Sequence, residues 1–246
     1  MMRNPFLKLL PLLLAAVAGG EVQVDSVLEA VFVRAAERTA AIRDATYIGD
    51  YLYREFDSEG NQLREETCRR RVYTKGYGNQ HLEFLDVRVN GKELAGRARS
   101  VQIALLKQKG LVQDEAAMPF RLETMDSYNY ELLGSDTLGG REVWVVGFDP
   151  LHRSMKTVTG QALVDKATFD ILQLRFKPAW LPWVCVGTCM TLYLRELDGY
   201  TYPYFFEMDM TIRVKVLITL AHRRLRVEDR FTDYRFNTGL PDSLFD

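Results

Sequence analysis

The segment from residue 206 to 220, FEMDMTIRVKVLITL, constrains the fold more than any other. Every even position is apolar (Phe206, Met208, Met210, Ile212, Val214, Val216, Ile218, Leu220), and the odd positions begin Glu207, Asp209, Thr211, Arg213 and Lys215. Side chains alternate across a strand, so this pattern sets a dry face against a wet one. At about 3.3 Å per residue an unbroken strand of this length would reach roughly 50 Å, far beyond the usual run of about six residues. Such a strand must curl, and its apolar face needs a cover: a second sheet, a helix, or an apolar ligand.

Residues 1–18 read as a leader outside the fold. Arg3 and Lys8 give a positive start, and residues 9–17 (LLPLLLAAV) form an apolar stretch too short for the roughly 20 residues of a membrane span. Ala16, Val17 and Ala18 make a small-residue cleavage pattern. No cysteine follows at once, which argues against a lipid-anchored terminus. The expectation is export by a cleaved signal peptide, to the periplasm of a Gram-negative source, with residues 19–246 as a single domain. Basic and acidic residues nearly balance, 32 against 33, so the broad positive field that nucleic-acid binding requires is missing. The Arg69–Arg71 and Arg223–Arg224 clusters alternate with strand residues and read as a solvated sheet face.

Export permits disulfides. Cys185 and Cys189 flank Val-Gly-Thr, and a local bridge closing a tight turn is the first expectation, leaving Cys68 buried and reduced. Pairing of Cys68 with either of the others stays open, because sequence alone does not fix connectivity. Zinc ranks third: His81, His152 and His222 are isolated and the cysteine spacing matches no finger pattern.

Taken in order, residues 21–44 predict an amphipathic helix capped by Asp25 or Ser26. Leu28, Val31, Phe32, Ala35 and Ile42 lie on one side, and Arg34, Glu37, Arg38 and Arg43 on the other. Strands follow over 47–56, 63–75 and 80–89. Within the last, Leu82 and Phe84 share a parity that Leu85, Val87 and Val89 reverse, which signals a bulge. Residues 96–109 look helical. Strands resume over 128–133 and 141–148 around Leu138-Gly139-Gly140, then 160–165 and 169–177 around Lys166-Ala167-Thr168. Pro178 and Pro182 interrupt the pattern before strands at 190–197, 206–220 and 223–236. About nine to eleven antiparallel strands result, with no linker or internal repeat.

Searches for catalytic signatures come out empty: there is no G-x-S-x-G, H-E-x-x-H, P-loop or dinucleotide turn. His152, beside Arg153 and Ser154, reads as a loop residue. The aromatics Trp180, Trp183, Tyr200, Tyr202, Tyr204, Phe205 and Phe206 gather around Pro178, Pro182 and Pro203. They form either a satellite core under a loop or the mouth of an apolar cavity with Met208 and Met210 as an adaptable lining.

The leader, the single amphipathic helix, the long antiparallel strands, the inserted helix and the run GQALVDKATFDILQLRFKPA together resemble the outer-membrane lipoprotein-sorting (LolA/LolB-like) carriers. Variants of that family continue with a Tyr-Pro-containing strand, as Tyr202-Pro203-Tyr204 does here. The resemblance implies an α+β, mainly antiparallel fold: a strongly curved, open half-barrel whose concave side is closed by the N-terminal and inserted helices. It also implies non-enzymatic carriage of a lipid or acylated lipoprotein by a monomer, without cofactor, and possible contact with an inner- or outer-membrane protein. The ligand would meet Leu172, Leu174, Phe176, Trp180, Trp183, Tyr204, Phe206, Met208, Met210, Ile212 and Val214. An arginine latching the lid would be one of Arg69–Arg71. Two rivals stand beside the carrier: a regulatory or interaction module of the same fold, and a secreted hydrolase without a recognisable motif.

Overall fold

The computed structural model describes residues 24–76, 79–108, 118–121, 123–215 and 219–245; the expected leader, and Val216 and Ile218 of the alternating segment, lie outside them. Helix α1 (Val24–Ala41) precedes eleven strands: β1 (Asp44–Phe56), β2 (Gln62–Lys75), β3 (Asn79–Val89), β4 (Lys92–Glu93), β5 (Tyr128–Leu138), β6 (Arg141–Pro150), β7 (Val158–Asp165), β8 (Ile171–Pro178), β9 (Cys185–Leu197), β10 (Tyr200–Lys215) and β11 (Thr219–Phe236). Helix α2 (Gly96–Leu106) is inserted between β4 and β5. All pairings are antiparallel and build one open sheet in the order β4-β3-β2-β1-β11-β10-β9-β8-β7-β6-β5. The first and last hairpins do not meet: the sheet closes in its middle, where β1 pairs with β11.

Directly paired residues share a face, so one row can be followed across the molecule: Leu132, Val146, Ala162, Leu174, Leu192, Phe206, Asp229, Tyr51, Cys68 and Val87. Both helices lie on this face. Val27 and Val31 of α1 are buried with Val146, Phe148, Ala162, Val164 and Leu174, and Phe32 and Ala35 pack at the edge of that cluster. Leu106 of α2 is buried with Tyr51, Tyr53, Cys68, Val87 and Val227. The sheet thus has two cores, one beneath each helix, joined by its central strands.

The local turns follow their residues. Gly139 and Gly140 both adopt positive φ, 57° and 81°, and join β5 to β6 as a two-residue hairpin loop between Leu138 and Arg141. Between β7 and β8, Asp165 accepts hydrogen bonds from the backbone N–H groups of Ala167 and Thr168. The parity reversal in β3 is a bulge: Arg69 pairs with Asp86 and Arg70 with Phe84, leaving Leu85 unpaired. A second bulge leaves Leu133 of β5 unpaired.

Three expectations change. The alternating segment 206–220 is not one strand, because β10 ends at Lys215 and the chain reverses to pair Lys215 with Thr219 at the start of β11. The apolar alternation continues on both sides of that reversal, and no glycine or proline marks it. The Val-Gly-Thr segment is strand rather than tight turn, and Cys68, Cys185 and Cys189 are all free thiols. Cys185 and Cys189 share a strand, where four residues span about 13 Å, well beyond the roughly 7 Å limit between bridged Cα atoms. Finally, the arginine triplet is not uniformly solvated: Arg69 and Arg71 face water, whereas Arg70 is 3% exposed on the inner face.

Candidate functional site

Between α1 and the middle of the sheet lies a cleft of about 420 Å³, within the usual range of ligand sites, roughly 300–1,000 Å³. Its roof is the second half of α1, with Ala35 and Thr39, and Ile42 just beyond the helix end. Its floor is Ala45 and Tyr47 of β1, Leu174 of β8, Leu192 and Leu194 of β9, Tyr202 and Pro203 of β10, and Tyr234 and Phe236 of β11. Met118 and Phe120 form an end wall. The cleft exists because α1 does not cover its whole length equally. Val27, Val31 and Phe32 seat the first half firmly, Phe32 meeting Tyr130 edge-on at 4.8 Å, whereas the small side chains of Ala35 and Thr39 leave space above the floor.

The floor is an aromatic ladder. Tyr47 stacks on Tyr234 at 4.6 Å, Tyr234 stacks on Phe236 at 5.4 Å, and Tyr202 lies 4.2 Å from Tyr234. The Tyr234 hydroxyl donates to the Pro203 carbonyl at 2.7 Å, so the ring presents carbon to the cleft with its polar tip satisfied. Burial pushes the Tyr47 phenol up to about 12 and raises that of Tyr234 as well, keeping both neutral.

One rim of the cleft is a charge cluster. Asp170, at the turn before β8, is 5% exposed. Its carboxylate accepts from Arg34 Nε at 3.0 Å and from Arg38 Nε and Nη2, both at 2.9 Å. Arg38 also donates to the Gly199 carbonyl and lies 3.3 Å from Glu196, tying α1 to the β9–β10 turn. Burial pushes the Asp170 carboxyl upward, and the hydrogen bonds from Arg38 and Arg34 more than offset it, so the group titrates below the ordinary carboxylate range. The end of α1 is held separately: Asn237 donates to the Ala41 carbonyl at 2.9 Å and accepts from the Arg43 N–H at 2.8 Å.

Deeper in the inner face, Arg70 and Asp229 form a buried ion pair, Nη2 to Oδ2 2.5 Å and Nη1 to Oδ1 3.2 Å. Burial raises the Asp229 carboxyl and the Arg70 charge opposes that rise. Gly49 lies beneath the guanidinium; a Cβ there would come within 2.9 Å of Arg70 Cζ. Arg70 is thus the inward member of the expected latch triplet, but its partner is Asp229 of the sheet and not a helix. The contacts that fasten α1 to the cleft rim come from Arg34 and Arg38.

Of the residues expected to meet a ligand, Leu174 lines the cleft. Phe176 packs at the edge of the α1 core, and Phe206 and Met208 at the edge of the α2 core. Met210 and Ile212 continue the inner face, opposite Leu225 and Arg223, and the side chain of Val214 lies outside the described residues. Leu172 is displaced: β7 and β8 slip register between Leu163–Gln173 and Val164–Ile171, so Ile171 takes the inward place. Tyr204 falls at a bulge between Pro203 and Phe205 and lies by Tyr193 and the Arg195 guanidinium, away from the cleft lining. Trp180 and Trp183 are exposed on the segment between β8 and β9. The residues that sequence reasoning passed over are Tyr47, Tyr234, Phe236 and the Arg34–Arg38–Asp170 cluster. Arg34 and Arg38 flank Ala35 at one-turn spacing, a signal for a charged edge along the roof.

No family model matches the sequence, and no curated protein matches it. Solved structures similar in fold include a DUF1329-family protein from Desulfovibrio piger, 13% identical over 91% of this chain and 97% of that one, with a TM-score of 0.45. A LolA-superfamily protein from Nitrosomonas europaea is 13% identical over 92% of this chain and 98% of its own, with a TM-score of 0.44. Among the described residues no helix is long and apolar enough to cross a membrane.

Proposed function

We propose that this chain is a periplasmic, non-enzymatic carrier that holds an acyl chain of a lipid or lipoprotein in the cleft beneath α1, in the service of outer-membrane lipoprotein sorting. The observation that supports it is the cleft: a floor rich in aliphatic and aromatic side chains, with the Tyr234 hydroxyl tied to the Pro203 carbonyl and the Arg34–Arg38–Asp170 cluster along one rim. That lining suits a long apolar ligand with a polar head left at the charged edge. About ten buried methylenes supply roughly 8 kcal/mol, the free energy of micromolar binding, and the cost of association sets how much longer the buried chain must be.

The test uses palmitate and a diacylated lipopeptide as probes. Each should raise the melting temperature progressively with concentration, as a binder of the native state must, and should slow hydrogen exchange at residues 45–47 and 200–206 of the floor. Leu174→Asp, which puts a charge on the floor, should abolish the shift or unfold the domain, whereas Arg175→Asp on the outer face should cost within about 0.5 kcal/mol and keep it. If neither probe changes melting or exchange, the carrier reading fails. Native mass spectrometry of protein from its own periplasm separates what remains: a co-purified protein favours an interaction module.

A further inference from the structure

Of the eight methionines in the chain, Met190, Met208 and Met210 fall on one patch of two neighbouring strands. Met190 of β9 and Met208 of β10 are direct partners, which sets their Cβ atoms about 5 Å apart. Met210 lies two residues further along β10 on the same face, roughly 7 Å away. This is the inner face, since Leu192 and Phe206 are the next pair upon it. All three methionines are half-buried. Among the described residues Met208 packs at the edge of the α2 core, Met190 and Met210 belong to neither core, and none of the three lines the cleft.

A fourth sulfur joins them through a bulge. Gly187 opposes Thr211 and Cys185 opposes Ile212, so Val186 is left without a partner across the ladder. Regular alternation from Met190 and Thr188 would turn Cys185 outward; the bulge turns it to the inner face with Ile212, and leaves Val186 52% exposed. The Cys185 N–H donates to the Pro182 carbonyl at 2.9 Å and the Arg213 N–H to the Val184 carbonyl at 2.7 Å, which fixes the backbone there. Cys185 is a free, half-buried thiol. Thr188, opposite Met210 and between Cys185 and Met190, has a buried hydroxyl oxygen with no hydrogen-bond partner among the described residues. The carboxylate on the adjoining rung, Glu55 opposite Leu225, is held by Arg223 at 3.1 Å.

We propose that Met190, Met208, Met210 and Cys185 form a binding site for a soft monovalent metal ion, Cu(I). Thioether and thiolate sulfur select Cu(I), whereas harder ions take imidazole or carboxylate ligands. The histidines lie elsewhere: His81 on β3, His152 after β6, and His222 on the outer face opposite Arg213. Three rotatable bonds let each methionine bring its sulfur toward a common point between the strands. Leucine would fill the same face equally well, so an apolar role alone does not account for sulfur at all four places. Coordination releases the Cys185 proton to water, and the thiolate with Cu(I) makes a neutral pair suited to an apolar face, where a divalent ion would leave net charge. The Thr188 hydroxyl can donate to that thiolate, as groups behind a metal ligand commonly do. The site does not depend on what the cleft holds.

The experiment is an anaerobic titration of the reduced protein with Cu(I) against bicinchoninate as competing chelator, with Ag(I) as a redox-inert second probe. One Cu(I) per chain should be retained against the chelator, and copper-edge X-ray absorption should show sulfur neighbours alone. Met190→Leu/Met208→Leu conserves apolar volume, so its melting temperature should stay close to wild type, while Cu(I) affinity should fall at least about tenfold. Met210→Leu, outside both cores, should weaken binding as well, and Cys185→Ser should weaken it more than either. Cys189→Ser, on the outer face with Asp209, should leave the affinity unchanged. Loss of all Cu(I) to bicinchoninate, or an affinity that the double methionine variant and Met210→Leu both retain, overturns the proposal. Binding abolished by Cys189→Ser and untouched by Cys185→Ser overturns it in favour of an exposed thiol alone.

Discussion

Replacing Asp170 by Asn removes one charge from the rim of the cleft while keeping the side chain's shape. The wild-type carboxylate accepts three charged hydrogen bonds, from Arg34 Nε, Arg38 Nε and Arg38 Nη2. Removing one partner of a buried ion pair costs about 3–5 kcal/mol when the other is stranded. Here the stranded groups recover some water, because the Arg34 and Arg38 side chains are 31% and 13% exposed. The expected loss is therefore about 2–3 kcal/mol, or a melting temperature lower by roughly 5–10 °C in a domain of this size. If the cluster fastens the roof, the loss concentrates there: exchange of residues 33–41 should quicken by roughly 30- to 150-fold, at tenfold per 1.4 kcal/mol. The pH dependence has a fixed sign. The folded carboxyl titrates below its unfolded value, so its stabilisation is full above about pH 4 and disappears as pH falls through the lower folded value. The gap between wild type and variant should be flat from pH 5 to 8 and close in acid. Denaturant melts with residue-resolved exchange supply the measurement. If stability drops but α1 exchanges no faster than the strands beneath it, the helix is a permanent layer and the rim cluster is no fastening for a movable roof.

The central ion pair has its own signature. Arg70→Leu alone should cost about 3–5 kcal/mol in urea melts by stranding buried Asp229, whereas Arg70→Leu with Asp229→Leu should return to within about 1 kcal/mol of wild type. The cysteines are tested by thiol labelling of native protein: three free thiols per chain, with exposed Cys189 fast and Cys68 slow, because Cys68 is 2% exposed and burial pushes its thiol up to about 12. A bridged peptide in a non-reducing map would contradict this.

How much of this was legible in the sequence depends on the kind of signal. Side-chain parity located the bulge at Leu85, and helical periodicity located α1 and α2. Parity did not locate the end of β10, since the alternation runs through the reversal unchanged. It also misplaced Leu172, because one slipped residue in β8 exchanges it for Ile171. The arginine triplet shows a subtler loss: Arg70 shares its parity with Cys68 and Val72, and Asp229 shares its parity with Val227 and Phe231. Two opposite charges on apolar faces could have been read as a buried pair, but only once β1 is known to lie between β2 and β11. The aromatic floor has the same dependence. Tyr47 and Tyr234 are 187 residues apart in sequence, and closure of the sheet through β1 and β11 brings them together.

The two ends of the sheet carry a consequence for the protein's behaviour at high concentration. A sheet that stays open to keep a cleft exposes unpaired backbone at both margins, and such margins recruit further strands and seed aggregates. Here each margin is spoiled. At one, Leu85 bulges from β3, the Arg99 guanidinium donates to the Phe84 carbonyl at 2.6 Å, and β4 adds only Lys92 and Glu93. At the other, β5 bulges at Leu133 and places Glu131 and Asp136 along its length. Neither margin offers the straight, regular ladder that a second chain needs, so the barrel is left unfinished without becoming a template for fibres.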